Sequence, residues 1–195
     1  MPSGVNAAAK RYPKQLAIID DAGEINYEDL VTQINQFTEV LRERGLKTGD
    51  SIAVLARNYL VIALIAVIQL GGRVLLLNTM ASRAQLTDLA EREGAELLIL
   101  DQEFLPLVED VRRSRLMLAW ADPDAPSDLE SVASSVEGKD GKPQDVPERH
   151  GEIVIFTSGT TGLPKGAKRK EPDDLKPVLA YFGAIPYKSN SPVII

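Results

Sequence analysis

Hydrophobic residues along the chain recur with two spacings, and the alternation between these spacings outlines a fold. Leu16 to Asp20 is a short apolar run, Asp21-Ala-Gly-Glu reads as a turn and Ile25 to Tyr27 as its return, so a small hairpin opens the chain. From Asn26, a candidate N-cap, Leu30, Ile34, Phe37 and Leu41 fall on one stripe at helical spacing, which predicts a helix to Arg44 closed by Gly45. Ser51 to Ala56 reads as a buried strand. The apolar segment from Tyr59 to Leu70 lies in an uncharged run, Asn58 to Gly72, bracketed by Arg57 and Arg73. That run is shorter than the ~20 residues that span a bilayer, so it predicts a core helix and no transmembrane segment. Val74 to Asn78 is the next strand, Ser82 with Gln85 makes a capping box for a helix to about Glu93, and Leu97 to Asp101 is a strand again. A helix from about Glu103 to Ser114 and a strand from Leu116 to Trp120 complete the series. Strands and helices alternating at these lengths predict an α/β fold, a mostly parallel sheet with helices on its faces.

Composition narrows the function classes. The chain has 195 residues, 44% hydrophobic and 26% charged, enough for one well-cored domain. It contains no cysteine, so it has no disulfide framework, no thiolate nucleophile and no Cys-based metal site, which fits a reducing, cytoplasmic setting. His150 is the only histidine. Multi-His metal sites are excluded, and a Ser/His/Asp triad would depend on that one residue. The first residues, Met-Pro-Ser-Gly-Val-Asn, lack the apolar core of a signal peptide.

Charge changes the picture in one segment. Of the net −6, residues 121–150 carry −5, from eight acids against three Lys/Arg, together with four prolines and four serines. They are expected to form an acidic, mobile surface connection with few apolar anchors, ending in a solvated His150. It would separate an N-terminal α/β part, residues 1–120, from residues 151–195 of the same domain. Within the latter, Lys165, Lys168, Arg169 and Lys170 form a small basic cluster. Such a cluster attracts a polyphosphate but falls short of a nucleic-acid footprint, so no nucleic-acid partner is expected.

The candidate chemistry lies from Ile153 to Gly166. Ile153 to Phe156 reads as a buried strand, and it feeds a run of hydroxyls and glycines: Thr157, Ser158, Gly159, Thr160, Thr161, Gly162, Leu163, Pro164, Lys165, Gly166. Glycines let successive backbone N–H groups turn toward an anion, while hydroxyls and an ammonium meet its outer oxygens. A Walker-type loop fails on spacing: counted from Gly159, Lys165 is preceded by Pro164 where Gly is required and followed by Gly166 where Ser or Thr is required. The bland alternative is a Gly/Thr-rich surface turn.

Thr157 to Gly166 resembles, at every position, the Thr-Ser-Gly-Thr-Thr-Gly-x-Pro-Lys-Gly phosphate-binding signature of acyl-CoA synthetases in the adenylate-forming (AMP-binding) superfamily. The order Tyr12-Pro13, Ala17-Ile18-Ile19, Ile25-Asn26-Tyr27-x-x-Leu30, Gly49-Asp50, Val54-Leu55, Arg57-Asn58, Gly72 and Leu77-Asn78 is similar to the way synthetases of the fatty-acid type begin. The resemblance implies that Thr157, Ser158, Gly159, Thr160, Thr161, Gly162, Lys165 and Gly166 hold the ATP phosphates. It further implies that a fatty acid and ATP give an acyl-adenylate and pyrophosphate, from which coenzyme A displaces AMP. The family's ribose-binding Asp follows the phosphate loop, so Asp50 in Thr48-Gly49-Asp50 is read as a turn residue.

The remainder of the sequence limits the expectation. Beyond a possible short helix from Pro177 to Phe182, Ser191 to Ile195 reads as a strand cut in mid-element, and the last acids are Glu171, Asp173 and Asp174. The family's later motifs do not occur, including the magnesium-binding carboxylate and the adenylation lysine. No catalytic residue or metal ligand is therefore assigned, Mg2+ being implied by family alone, and the chain is expected to be inactive by itself. The competing expectation is a nucleotide-binding or chain-pairing module, whose complementary chain carries the missing motifs.

Overall fold

The computed structural model describes residues 2–20, 23–57, 60–122, 124, 126–145, 147, 149, 151–158 and 164–169. A helix α1 (Pro2–Arg11) precedes the hairpin β1 (Leu16–Asp20) and β2 (Gly23–Asn26). The apolar pattern did not predict α1. Its local signals are the alanines Ala7 to Ala9 and Pro2 at its first position, where proline's missing N–H has no partner to lose. Helix α2 (Tyr27–Glu43) starts where expected, with Asn26 Oδ1 accepting the Asp29 N–H at 2.9 Å. Gly45, at φ 85°, takes the chain out of the helix.

The main sheet contains β3 (Ser51–Leu55), β4 (Arg73–Leu76), β5 (Ala95–Leu100), β6 (Leu116–Leu118), β7 (Glu152–Ser158) and β8 (Pro164–Arg169). They lie in the order β6-β5-β3-β4-β7-β8, the first five parallel and β8 antiparallel to β7. This is the mostly parallel α/β sheet the pattern predicts. Alternation along the strands sorts the core into two layers. Ile52, Val54, Val74, Leu97 and Ile99 pack with Phe37 and Leu41 of α2 and with the apolar helix α3 (Leu60–Leu70). Ala53, Leu55, Leu75, Leu98 and Leu100 pack on the other face with Leu86 and Leu89 of α4 (Arg83–Arg92), whose Ser82–Gln85 capping box is formed. Each fully buried Leu, Ile or Phe contributes about 1.5–3 kcal/mol of transfer free energy. Helix α3 is thus a core helix. No helix among the described residues is long and apolar enough to cross a membrane.

Two stretches differ from the pattern. The helix expected from Glu103 to Ser114 is instead two 3₁₀ turns, Gln102–Leu107 and Arg113–Arg115. Pro106 has no N–H for an α-helical bond and its ring clashes with the preceding turn, yet Phe104 and Val108 still reach the core. The connection 121–150 has more anchors than its composition suggested. It carries a short helix α5 (Val132–Ser135) with Val132 buried, and Ser131 bridges Leu118 at the β6 edge. Farther on, Asn35 and Gln36 of α2 donate to Gly141 O (3.1 Å) and Lys139 O (2.8 Å), Arg42 reaches Gln144 at 2.8 Å, and Lys139 pairs with Glu43. His150, the stretch Pro177 to Phe182 expected as a helix and the stretch Ser191 to Ile195 expected as a strand lie outside the described residues.

Candidate functional site

The site begins with the length mismatch between two neighbouring strands. β7 pairs with β4 only from Glu152 to Ile155, where β4 ends at Leu76, so Phe156, Thr157 and Ser158 run about 10 Å past the end of their neighbour. Phe156 packs against the α4-side core and anchors this overhang. β8 returns antiparallel, with Phe156 opposite Gly166, Thr157 opposite Lys165 and Ser158 opposite Pro164. The two ends of the hydroxyl-and-glycine run thus lie on the paired legs of a β7–β8 hairpin, which hold Thr157, Ser158, Lys165 and Gly166 at adjacent register positions. Gly159, Thr160, Thr161 and Gly162, with Leu163, lie outside the described residues. Pro164 occupies the first position of its strand, where a missing N–H costs no interior ladder bond.

The hairpin leaves the sheet at its carboxyl edge, where β3, β4 and β5 also end. In open α/β sheets this is the edge outside which ligands bind. The turns after those strands carry polar groups that sequence reasoning did not single out as site residues. Arg57, two positions after β3, donates its backbone N–H to Asp101 Oδ2 at 2.6 Å. Its guanidinium bonds Glu103 Oε1 at 3.0 Å and lies 5.4 Å from the centre of the Phe104 ring. Asn78, after β4, accepts the Met80 N–H at 2.9 Å, and Met80 is 88% exposed. The available signal was positional: each of these residues closely follows a buried strand.

The opposite, amino-terminal edge is built differently. Asp50 accepts the Lys47 N–H at 2.7 Å just before β3, the geometry of a turn residue, and stands at the end of the sheet away from the hairpin. A polar concavity of about 500 Å³ lies there, lined by Arg44, Lys47, Asp50, Glu96 and Ser114 among others. Its lining mixes both charges and includes none of the hydroxyls of the signature. Among the described residues no three or more Asp, Glu or His side chains group as a metal site.

Comparison with known proteins supplies the context for this geometry. Residues 5–172 match the family described as AMP-binding enzyme. The 2-succinylbenzoate–CoA ligase of Bacillus licheniformis is 29% identical over 167 residues, covering 85% of this chain and 33% of the ligase. Enterobactin synthase component F of Escherichia coli K12 is 32% identical over 160 residues, covering 81% of this chain and 11% of that protein. The crystal structure of the anthranilate CoA ligase AuaEII in complex with anthranoyl-AMP superposes with a TM-score of 0.76 at 19% identity, over 86% of this chain and 34% of that one. The chain thus spans a third or less of the length of these two curated relatives. The family match extends from α1 through the connection, the hairpin and β8, and by that match the chain belongs to the AMP-binding enzyme family.

Proposed function

We propose that this chain supplies the ATP phosphate-binding hairpin of an acyl-CoA synthetase, with Thr157, Ser158, Gly159, Thr160, Thr161, Gly162, Lys165 and Gly166 as the phosphate ligands. The observation that carries the reading is the overhang: the signature begins where β7 outruns β4 at the carboxyl edge of the sheet. Backbone N–H groups of the glycine-rich turn and the Lys165 ammonium suit the β and γ phosphates. In the reaction proposed, a carboxylate oxygen of the acid bonds to the α phosphorus and the bond to pyrophosphate breaks. A coenzyme A thiolate then attacks the acyl carbon and AMP leaves. The likeness to a CoA ligase supports an acid–thiol ligase, and the similarity of the residue order from Tyr12-Pro13 to Leu77-Asn78 to the fatty-acid type favours a fatty acid as the acid. ATP enters with Mg2+, whose carboxylate ligand would come from outside this chain. The setting proposed is the cytoplasm.

On this reading the chain alone does not catalyse adenylation. Most of the rate depends on holding carboxylate, α phosphorus, metal and a lysine together, and this chain contributes only the phosphate end. The second reading is a nucleotide-binding or chain-pairing module without catalysis, favoured by β8, which has no strand on its outer side among the described residues. The test is equilibrium binding of Mg-ATP to the purified chain. Saturable binding weakened by both Lys165→Ala and Gly159→Val supports the hairpin as the phosphate site; binding indifferent to both variants overturns it. Release of pyrophosphate from ATP and a fatty acid by the chain alone would overturn the claim of inactivity.

A further inference from the structure

How far the hairpin stands out from the sheet depends on the register of β7, and register is set at the strand's other end. Gly151, immediately before β7, is wedged between the end of α3 and the turn into β4. A Cβ on Gly151 would lie 2.5 Å from Ile68 Cα, 2.7 Å from Ile68 O and 2.9 Å from Gly72 O. Those neighbours are backbone atoms, which cannot swing aside as a side chain can. One residue on, the Glu152 N–H donates to Gly72 O at 3.0 Å, and Glu152 lies in register with Arg73.

The Arg73 side chain, 22% exposed, gathers the amino ends of three strands and the carboxyl end of α4. Its guanidinium donates to Ser51 Oγ at 2.9 Å and to Glu93 Oε2 at 3.2 Å, and its Nε is 3.9 Å from Glu152 Oε2. Arg149 pairs with Glu152 at 2.5 Å from the other direction. Gly71 adds a second tight fit, since a Cβ there would meet Arg149 O at 2.7 Å and Pro147 Cβ at 2.9 Å.

We propose that Gly151 and the Arg73–Glu152 pair form a register lock, which fixes β7 against β4 and thereby the projection of the phosphate hairpin. This rests on the phosphate-site reading for its functional consequence but not for its structural claim. A slip of one residue would exchange the two faces of β7, sending Ile153 to the α4 side and Val154 to the α3 side. A slip of two keeps the faces but moves the hairpin by about 6.6 Å along its axis. Either slip puts a residue with a Cβ into the slot that only glycine fits, and takes Glu152 away from Arg73. Gly151 and Arg73 are thus positioning residues, acting at one end of a strand on a loop at the other.

The chain's lack of cysteine makes register directly measurable, because within one chain two introduced thiols have no other cysteine to pair with, and dimers separate by size. Leu76 and Ile155 are register partners, so Leu76→Cys with Ile155→Cys reports the native alignment, and Leu76→Cys with Ile153→Cys reports a two-residue slip. The first pair is expected to oxidise readily and the second not. Adding Gly151→Val is expected to lower the preference for the native pair by about fivefold or more, and to weaken Mg-ATP binding by about tenfold or more, as misplacement of a positioned group does. Glu152→Gln, which keeps volume and removes the charge, should move both readouts the same way by a smaller factor, and it decides the question if Gly151→Val fails to fold. An unchanged cross-linking preference in the folded variants overturns the lock. An altered preference with unchanged ATP affinity overturns its control of the phosphate site. Wild-type protein that binds no Mg-ATP overturns the phosphate-site reading instead, and the cross-links then decide the lock alone.

Discussion

Gln69 of α3 donates from Nε2 to Asn35 Oδ1 of α2 at 2.8 Å, and Asn35 passes its own Nδ2 donor on to Gly141 O at 3.1 Å, so a buried polar chain runs from the core helices to the connection. Asn35 and Gln69 are 4% and 7% exposed, where an unpaired amide has no water to turn to. Asn35→Ala would leave the Gln69 amide without this acceptor and Gly141 O without this donor. It is expected to lower stability by about 1–3 kcal/mol in urea unfolding, and to speed proteolytic cleavage within 136–149. An effect on stability with no change in cleavage would mean that the connection is held without this chain of bonds.

Among the described residues, Phe37 on the α2 stripe has the largest fully buried side chain. It packs in one core cluster with Ile52 and Val54 of the sheet and with Ala63 and Val67 of α3. Phe37→Ala is expected to cost about 3–5 kcal/mol in the denaturant midpoint at constant slope, since a cavity adds to the lost transfer free energy. A cost below about 1.5 kcal/mol would indicate that the two layers collapse onto each other.

The α4 cap is a smaller, local device. Ser82 Oγ accepts the Gln85 N–H while Gln85 Oε1 accepts the Ser82 N–H, satisfying two donors that the first turn leaves open. Ser82→Ala should lower stability by about 1 kcal/mol, with the fastest increase in amide hydrogen exchange confined to residues 83–86.

The link between the connection and α2 is expected to depend on pH. A hydrogen bond from Lys139 to Glu43 raises the lysine above its ordinary 10.5 against the opposing effect of burial. A group raised in the folded state stabilises fully below its unfolded value, and that contribution is lost as pH rises through the folded one. Lys139→Met should therefore lower stability by the same amount throughout the neutral range, and the difference from wild type should shrink only above pH 10.5. A difference that already falls between neutrality and that value would assign the effect to another group.

Much of this architecture was legible because it is written in local patterns. The Leu30-Ile34-Phe37-Leu41 stripe, the Asn26 cap, the Ser82–Gln85 box and the unbroken apolar run of α3 each depend on neighbours within a turn or two, and each appears where its pattern put it. The same holds for the parallel α/β class, which follows from alternation. The helix expected at 103–114 gives way to 3₁₀ turns because Pro106 lacks the N–H that an α-helix needs there. The anchoring of 121–150 was hidden because its partners, Asn35, Gln36, Arg42 and Glu43, lie about a hundred positions away in sequence.

By itself the sequence determined which groups follow the strand β7: hydroxyls, glycines and Lys165, in a spacing suited to phosphate. Residue identity and close spacing suffice for that. Which strands neighbour that strand, how far it outruns β4 and what stops it from sliding were decided only in the tertiary structure. A parallel sheet joins residues by hydrogen bonds between distant segments, and the slot at Gly151 exists only once α3 and the turn into β4 have packed around it.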